Sequence, residues 1–346
     1  MNAGLRVFDR IDPAMTDAGT ALSRARQSSM FDRADWFSVA ARHATDGDPL
    51  IIRGEENGSR CWLFLARKGG SATALSNWYC LHYRVVTEGE NPPYDQLAEG
   101  LRAAKIHHLR IDPIDDEAEL AAALKQRGWL VRREQTDVSW RVDVEGMSFD
   151  EFWSGRPSRL RNTAKRKARK AKLACKVFNH LDAALWTEVC EVFENSWNNR
   201  ANSPDLTHDV FRHEADAGTL RLGMAYKDGR PVAAQVWTIE HGVAIIHLLS
   251  YREDVSKLGA GTILTRHMFE HVLDNEDVRT IDFGIGDHAY KREWMSYRVP
   301  LHTLSAYYAL SLPGLVAIAG MVLRKLSGLL GRGGAPKETR RHARRS

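Results

Sequence analysis

Apolar and polar positions along the chain follow two periods, and their order predicts strands separated by single helices. In the first half, apolar runs at residues 50–52 and 61–65 flank Asn57-Gly58, a pair that readily adopts the positive φ of a tight turn. These runs therefore predict a hairpin. The other elements predicted in this half are a helix at 31–40, a strand at 74–86, a helix at 94–104, a strand at 106–111, a helix at 116–127 and a strand at 136–144.

The second half has the same kinds of element in a similar order. Its predicted helices lie at 159–173, 183–197, 209–217, 262–273 and 288–295, and its predicted strands at 175–179, 220–226, 232–240, 243–251, 280–283 and 301–310. Strands alternating with helices indicate an α/β protein. We interpret the chain as two α/β domains, residues 30–145 and 146–310, that meet near Glu145-Gly146. A flexible lead-in is expected at 1–29 and a separate C-terminal segment at 311–346.

Composition and charge narrow the function classes. Hydrophobic residues make up 43% and charged residues 27% of the chain, a balance that excludes a disordered protein. Positive charge is concentrated at residues 156–172, which hold nine Lys or Arg and no acid, and in the tail at 332–346. Because the rest of the chain is net acidic, we expect an anionic partner at each basic segment rather than nucleic acid along the whole surface.

The first basic segment is patterned as a helix. Leu160, Ala164, Ala168 and Ala171 recur at helical spacing and predict a narrow apolar stripe that packs on the body. The other faces are basic and include Arg161. The candidate anions are CoA phosphates, a charged glycan, lipid headgroups or RNA. Since no aromatic residues interleave the charges, a stacking site for nucleic acid is disfavoured.

The four cysteines form no CxxC pair and accompany no histidine cluster at zinc spacing. We therefore expect reduced thiols, a cytoplasmic location and no metal cofactor. The first thirty residues lack the apolar core of a signal peptide. Residues 310–330 are apolar but interrupted by Pro, Gly and basic residues, so a transmembrane helix is not expected. This segment is interpreted either as a packed helix or, with the basic tail, as a peripheral contact to the anionic inner face of the membrane.

Residues 277–294 form the most informative segment of the chain. An apolar run ends at Asp282, Gly284 and Gly286, and a polar and aromatic helical pattern follows. Ends of strands and their loops commonly hold ligands in α/β proteins. Asp282, Asp287 and His247 are candidate general bases. Each also has an ordinary structural interpretation, because aspartates cap turns and helices and a histidine in an apolar run is usually buried.

A second candidate site precedes this segment, between a predicted strand and a predicted helix. Glycines at 259 and 261 allow close approach of a ligand to the backbone, and the free amides of a helix N-terminus suit a pyrophosphate. We therefore expect phosphate binding by Lys257, Leu258, Gly259, Ala260, Gly261 and Thr262. The alternative is a flexible strand–helix connection.

Residues 243–310 resemble the acyl-CoA-binding half of the GNAT (Gcn5-related N-acetyltransferase) superfamily. The family's loop pattern, Gln/Arg-x-x-Gly-x-Gly/Ala, is matched by Ser256-Lys-Leu-Gly259-Ala-Gly261, with Ser256 in the place of Gln or Arg. The chain more closely resembles the two-domain BioF2-like or CelD-like branch, which is related to Fem-type transferases. The residues that carry this resemblance are the Arg161 segment, the Gly259 loop and the motif Asp282-Phe-Gly-x-Gly-Asp287-x-x-Tyr290-Lys291-x-x-Trp294.

The resemblance implies tandem GNAT-like domains, each a mixed, mostly antiparallel sheet flanked by helices. It also implies acyl-CoA as co-substrate and Tyr290 as the acid that protonates the leaving thiolate. A phenol is chemically suited to that role if it lies within hydrogen-bond reach; the alternative is a core residue packed with Trp294. Candidate acceptor-binding residues are Lys291, Trp294, Gln235, Trp237, Trp197 and Arg161.

These features predict an acyltransferase that moves an acyl group from acyl-CoA to an amine or hydroxyl of a cell-envelope, polysaccharide or lipid precursor. No nucleophile elbow or Cys-His signature appears in the sequence, so direct transfer is expected. Two alternatives remain: a Fem-type transferase that uses aminoacyl-tRNA, and a non-catalytic GNAT-fold scaffold for polysaccharide biosynthesis. The sequence does not identify the acceptor.

Overall fold

The computed structural model describes residues 4–43, 46–114, 118–196 and 203–330. Its strands are β1 (Arg6–Phe8), β2 (Asp48–Glu56), β3 (Ser59–Lys68), β4 (Ser71–Ala74), β5 (Val86–Glu88), β6 (His108–Ile114), β7 (Trp129–Asp143), β8 (Ala174–Phe178), β9 (Leu220–Lys227), β10 (Arg230–Glu240), β11 (Val243–Tyr251), β12 (Thr280–Ile285) and β13 (Tyr297–Tyr308). Its α-helices are α1 (Ile11–Ala18), α2 (Ala34–His43), α3 (Tyr94–Ala103), α4 (Ala118–Gln126), α5 (Phe149–Ser154), α6 (Ser158–Ala171), α7 (Ala183–Glu194), α8 (Pro204–Asp216), α9 (Ala260–Asn275), α10 (Lys291–Trp294) and α11 (Leu312–Leu330).

One sheet runs through both halves in the order β1-β2-β3-β4-β6-β13-β7-β12-β11-β10-β9-β8, and β5 pairs with β3. β4 pairs with β6 and β11 with β12 in parallel, whereas the other neighbouring strands of the described chain are antiparallel. The predicted fold class, tandem domains with mixed, mostly antiparallel sheets flanked by helices, is therefore confirmed.

The strand order is symmetric about its centre, so the two halves are copies of one arrangement. In this correspondence β1 to β4 match β8 to β11, and β6 matches β12. The last strands exchange places, because β7 pairs with β12 of the second half and β13 pairs with β6 of the first half. A division of the chain at residue 145 therefore does not divide the sheet into its two halves.

Two apolar cores enclose the sheet. The larger core combines residues of both halves, among them Phe37, Phe64, Phe211 and Val236. The smaller core lies in the second half, where α9 packs on the sheet around Phe269. Since one core is shared, the halves stabilise each other; burial of apolar surface is the dominant favourable term in folding.

Polar contacts also cross between the halves. Arg33 forms an ion pair with Glu240, and His43 lies 2.9 Å from the carboxylate of Asp209. Arg33 is almost fully buried, so this pair is enclosed by the shared core. Removing one partner of a buried ion pair strongly lowers the free energy of unfolding. The Arg33–Glu240 pair therefore helps to fix the position of one half relative to the other.

The expected loose lead-in at residues 1–29 is wrong for its described part, residues 4–29. Strand β1 pairs with β2, and α1 with the turn that follows it buries Ala14, Ala18, Ala21 and Leu22. These small residues are spaced among polar ones, so the apolar pattern is weak although the packing is close.

The predicted strand at residues 74–86 is also wrong, because only its ends are extended, in β4 and β5. Between them Asn77 accepts a hydrogen bond from the Tyr79 amide at 2.8 Å, which forms a turn. The segment therefore leaves the sheet, and its aromatic residues become available to a site.

Helix α11 packs against β13, but it leaves Leu312, Leu315, Val316 and Leu323 largely exposed. Among the described residues, no helix is both long enough and apolar enough to cross a membrane. The predicted basic tail, residues 332–346, and the predicted acceptor contact at Trp197 lie outside the described residues.

The position of β13 in the core shared by both halves can be tested directly by substitution. Leu304 of β13 is 0% exposed within the core shared by both halves, whereas Leu312 of α11 is 80% exposed. We expect Leu304→Ala to lower the free energy of unfolding by about 2–5 kcal/mol through lost burial and a cavity. Leu312→Ala should change it by less than about 0.5 kcal/mol. Urea unfolding of both variants checks this; equal losses would contradict the assignment of β13 to the core.

Candidate functional site

A cleft opens where strands β11 and β12 diverge. The two strands pair only from Val243–Ile245 to Thr280–Asp282, and beyond this point a cavity of about 290 Å³ lies between them. A register shift between Val236 and Trp237 of β10 places an extra residue, His247, in β11 at the divergence. Such bulges bend a strand and interrupt its pairing.

The first half of the chain supplies one wall of this cleft. Trp78, Tyr79 and Leu81 line it together with Phe283 and Tyr290 of the second half. The sequence analysis missed the first three, because it treated their segment as a strand. The signal that was present is the aromatic pair at 78–79 beside turn-forming Asn77.

The glycine loop lies at the end of β11, where the predicted phosphate site was placed. A short 3₁₀ turn at Glu253–Leu258 leads to Gly259, whose φ of 70° begins α9. A Cβ on Gly261 would lie 3.2 Å from the ring of Tyr251, so the first turn of α9 runs close to the strand. Because the first amides of a helix have no partner within it, they can bind an anion here.

The basic helix α6 packs along α9 and reaches this loop. Its buried positions are Leu160, Ala164 and Ala171, as predicted, but Ala168 is exposed. Lys167 lies on the packed face instead, because residues three and four apart share a side of a helix. Its side chain covers Gly259, where a Cβ would lie 2.2 Å from Lys167 Cδ and 2.6 Å from Nζ. The helix thus brings an ammonium group to the start of α9.

Most cations of α6 have no acidic partner. Arg159 lies 3.9 Å from Glu293, and no ion pair joins the other basic side chains of this helix to any residue in the described parts of the chain. Arg161 is half-buried, and its Nε has no hydrogen-bond partner there. Unneutralised positive charge of this density attracts anions.

Tyr290 lies in the wall of the cleft, as the predicted acid must. The residue is 44% exposed as a whole, and its ring contacts Phe283 edge-on with 5.5 Å between centroids. Burial raises the pKa of Tyr290 to about 12, and the neighbouring Tyr251 acts in the same direction. The phenol is therefore protonated at neutral pH and able to donate a proton.

Lys291 is buried beside the cleft and stabilises the separation of β12 from β11. Its Nζ donates hydrogen bonds to the carbonyl oxygens of Gly284, at 2.9 Å, and Ile285, at 2.7 Å. These carbonyls lie where β12 no longer pairs with β11. Lys291 thus satisfies backbone acceptors that strand pairing would otherwise satisfy, and buried acceptors of this kind are costly to leave unpaired. Burial lowers the pKa of Lys291 to about 8, partly opposed by Asp282 and Asp137.

Asp282, a predicted base, is occupied by structural hydrogen bonds. Its carboxylate accepts from the hydroxyl of Ser139, from Arg141 Nε at 2.7 Å and from the Gly284 amide at 2.7 Å. It is nearly fully buried and does not line the cleft. Its geometry fixes the end of β12.

Asp287, the second predicted base, also lies outside the cleft lining. Its carboxylate accepts hydrogen bonds from Trp140 Nε1 at 3.2 Å, Arg292 at 3.0 Å and Arg298 at 3.3 Å. These contacts join the loop after β12 to strands β7 and β13. The structure therefore gives Asp287 a bracing position.

His247 does line the cleft, but as a neutral ring. It shares a hydrogen bond of 2.8 Å with the Thr238 hydroxyl and stacks on Tyr79 with 5.0 Å between centroids. Burial, assisted by nearby His82, lowers its pKa to about 3. A ring with this pKa is a weak acceptor for the proton of an ammonium group.

Three predicted acceptor contacts are core residues instead. Trp237 and Trp294 pack on Phe269, with ring centroids 5.1 Å away in each case. Gln235 is fully buried and pairs across the sheet with Gly223, whose open side faces α9. None of the three lines the cleft. Their aromatic and amide character does not reveal which face of the sheet they occupy.

Comparison with known proteins agrees with this geometry. Residues 158–292 match the family model of the acetyltransferase (GNAT) domain. The chain contains a GNAT domain. This match includes α6, the Gly259 loop and Tyr290, so the divergent strands, the loop and the basic helix belong to one GNAT domain.

Solved structures extend the GNAT fold to the whole chain. The C-terminal domain of a putative lysylphosphatidylglycerol synthetase from Agrobacterium fabrum has a TM-score of 0.56 and 17% identity, covering 91% of this chain and 97% of that one. FemX has a TM-score of 0.53 and 11% identity, covering 80% and 92%. A tandem GNAT protein from the clavulanic acid biosynthesis pathway has a TM-score of 0.50 and 14% identity, covering 89% and 99%. At these identities the likeness concerns the fold. No curated protein sequence matches the chain.

The buried lysine of this GNAT domain predicts a pH effect on stability. Its pKa is lowered from 10.5 to about 8, so in this pH window the unfolded chain binds more protons than the folded chain. Stability contributed by Lys291 therefore rises as pH increases through the window. We expect the advantage of wild type over Lys291→Met to grow by about 2 kcal/mol between pH 7 and pH 9.5.

Urea unfolding at the two pH values measures this advantage. The matched control is Lys257→Met, at an exposed lysine of the glycine loop, which removes a surface charge instead of a buried ammonium. If wild type were more stable than Lys291→Met by the same amount at both pH values, a buried ammonium with a lowered pKa would be contradicted.

Proposed function

We propose that the protein transfers an acyl group from acyl-CoA to an amine or hydroxyl of a cell-envelope, polysaccharide or lipid precursor. The observation that carries the proposal is the divergence of β11 from β12, with the Gly259 loop at the end of β11 and Tyr290 in the wall. An extended ligand can lie along the unpaired edge of β11 and use the backbone groups that β12 leaves free.

The chain offers separate groups for each part of the donor. The first amides of α9 and the ammonium of Lys167 suit the pyrophosphate. The narrow cleft suits the pantetheine arm, and its apolar lining at Ile246, Leu248 and Phe283 suits the acyl end. This arrangement would place the thioester between the bulge at His247 and the phenol of Tyr290.

The transfer needs no covalent enzyme intermediate. The lone pair of the acceptor nitrogen or oxygen attacks the thioester carbonyl carbon, and a backbone amide of the bulged strand polarises the carbonyl oxygen. The carbon–sulfur bond then breaks, and the thiolate takes the proton of Tyr290. The acceptor loses one proton to solvent and solvent returns one proton to Tyr290, so the products are the acylated acceptor and free CoA thiol. Positioning of the two substrates supplies much of the acceleration.

The exposed apolar residues of α11 support a location near lipid. Leu312, Leu315 and Val316 are exposed on one helix, and a basic tail follows in the sequence. Such a helix can lie peripherally on the anionic inner face of a membrane. A cytoplasmic enzyme held there would meet lipid-linked acceptors.

The donor site predicts a charge effect. Replacing Lys167 by Ala should weaken binding of acetyl-CoA about tenfold, because a charge-assisted contact to phosphate contributes about 1.5 kcal/mol. Lys170→Ala, an exposed lysine on the same helix, should leave the affinity within about twofold. Calorimetric titration of wild type and both variants provides the measurement. Failure of wild type to bind acetyl-CoA or longer acyl-CoAs would refute acyl-CoA as the donor.

The unpaired cations of α6 favour one alternative, an aminoacyl-tRNA-dependent transferase of the Fem type. Under that alternative RNA neutralises the basic helix, and its affinity falls steeply with salt. The same titration with tRNA in place of acetyl-CoA distinguishes the two donors, since the donor must bind the cleft and depend on Lys167.

The phenol predicts a catalytic effect. Tyr290→Phe should lower kcat about 100-fold or more by removing the acid, while KM for acetyl-CoA stays within about twofold. Tyr297→Phe is the matched control, because Tyr297 donates to Asp143 at 2.8 Å outside the cleft. Thiol release from acetyl-CoA, with a mixture of primary amines and alcohols as acceptors, gives the rates. Unchanged turnover in Tyr290→Phe would exclude the acid role, and no turnover in wild type would favour a scaffold.

A further inference from the structure

The symmetry of the sheet creates a second cavity in the first half. β4 and β6 pair in parallel only from Ser71–Thr73 to His108–Arg110, as β11 and β12 do in the second half. A cavity of about 480 Å³ opens beyond this pairing. Trp78 and Ile285 line both this cavity and the acyl cleft, so the two spaces are neighbours.

The second cavity is not built for another CoA. In the second half a glycine loop enters α9 directly, whereas in the first half residues 75–93 connect β4 to α3. Pro92-Pro93 precedes α3, and proline has no amide hydrogen to offer a phosphate. The connection instead folds inward and contributes Asn77 and Trp78 to the cavity.

The side chains around the cavity are typical of a site for a polyhydroxylated ligand. Trp78 is 45% exposed and presents an aromatic face. Arg110 and Asp112 form an ion pair of 2.7 Å, and both line the cavity. The Nδ2 of Asn77 is buried and has no hydrogen-bond partner in the described chain. A sugar ring offers an apolar face to the indole and hydroxyls to the amide and the ion pair.

Asp137 gives the cavity a carboxylate close to the acyl cleft. One of its oxygens accepts from the Val138 amide at 2.8 Å, and it forms no ion pair with any residue in the parts of the chain that the structure describes. Its charge acts on Lys291, which lines the acyl cleft. A carboxylate without an ion-pair partner in the described chain attracts an ammonium group at this junction.

We propose that this cavity is the acceptor subsite, that it takes an amino sugar, and that Asp137 binds the sugar ammonium. The inference rests on the proposed acyl transfer and names its acceptor class. Trp78 holds the sugar ring, Asn77 and the Arg110–Asp112 pair bind its hydroxyls, and Asp137 orients the nitrogen towards the cleft.

The step is balanced as an amide-forming transfer. The ammonium held by Asp137 loses one proton to solvent, and the freed lone pair forms the new carbon–nitrogen bond at the thioester carbonyl. As the carbon–sulfur bond breaks, Tyr290 protonates the thiolate. The amine nitrogen loses its second proton to solvent, and solvent returns one proton to Tyr290. The net products are an N-acyl sugar, CoA thiol and one proton.

The experiment is calorimetric titration of the full chain with D-glucosamine and, separately, with acetyl-CoA. Trp78→Ala and Asp137→Asn should each weaken glucosamine binding at least tenfold, and Asp137→Asn, which lies outside the lining of the acyl cleft, should leave the affinity for acetyl-CoA within about twofold. Asp143→Asn is the matched control on the same strand, because Asp143 pairs with Tyr297 and Thr280 outside the cavity. N-acetylglucosamine, which lacks the ammonium, should bind wild type at least tenfold more weakly than glucosamine.

The outcomes separate this inference from the proposed donor. Loss of glucosamine binding in both variants supports the subsite even if acetyl-CoA does not bind, a result that would reject only the donor. Acetyl-CoA binding without glucosamine binding overturns the subsite and leaves the donor intact. Glucosamine binding that neither variant weakens overturns it as well, and equal binding of N-acetylglucosamine overturns the role of Asp137. Thermal unfolding of each variant verifies that the fold is intact.

Discussion

The site depends on one constraint, that β12 must end without pairing to β11 beyond Asp282. Two polar anchors impose it. The Asp282 carboxylate binds Ser139, Arg141 and the Gly284 amide, and the Lys291 ammonium binds the carbonyls of Gly284 and Ile285. Because side chains form hydrogen bonds with the backbone at the end of β12, this strand end is stable without pairing to β11. The cleft and the wall at Tyr290 follow from this local solution.

Because the two halves exchange their last strands, residues of both halves form the site. β13 completes the sheet of the first half and β7 completes the sheet of the second. The last strand of each half therefore comes from the other half of the chain. The loop at 75–85 then reaches across and forms walls for both cavities. The groups proposed to bind the donor come from the second half, whereas the groups proposed to bind the acceptor come mainly from the first. A transferase gains from this division, because two substrates are positioned by one rigid sheet.

Local patterns in the sequence predicted most elements, the Gly259 loop and the location of Tyr290. These depend on residues close together in the chain, such as Gly259 with Gly261 and Tyr290 with the strand end before it. Lys167 and Asp137 could not be identified in this way, since their proposed roles depend on neighbours far away in sequence. Asp282 and Asp287 show the converse limit. Their residue type suits a base, but donors such as Ser139 and Trp140, more than 140 positions away, occupy their carboxylates.

The symmetric strand order also governs how the sheet meets other molecules. Its longest strands, β7 with 15 residues and β13 with 12, lie at the centre, whereas the outermost strands are β1 with 3 residues and β8 with 5. Unpaired edges are where sheets of separate molecules join, and short edge strands offer little backbone for such joining. The duplicated arrangement with exchanged last strands thus forms a wide sheet. Most of its backbone hydrogen-bonding groups lie in long inner strands that are paired on both sides. The arrangement protects the protein against edge-to-edge aggregation while both cavities remain open between inner strands.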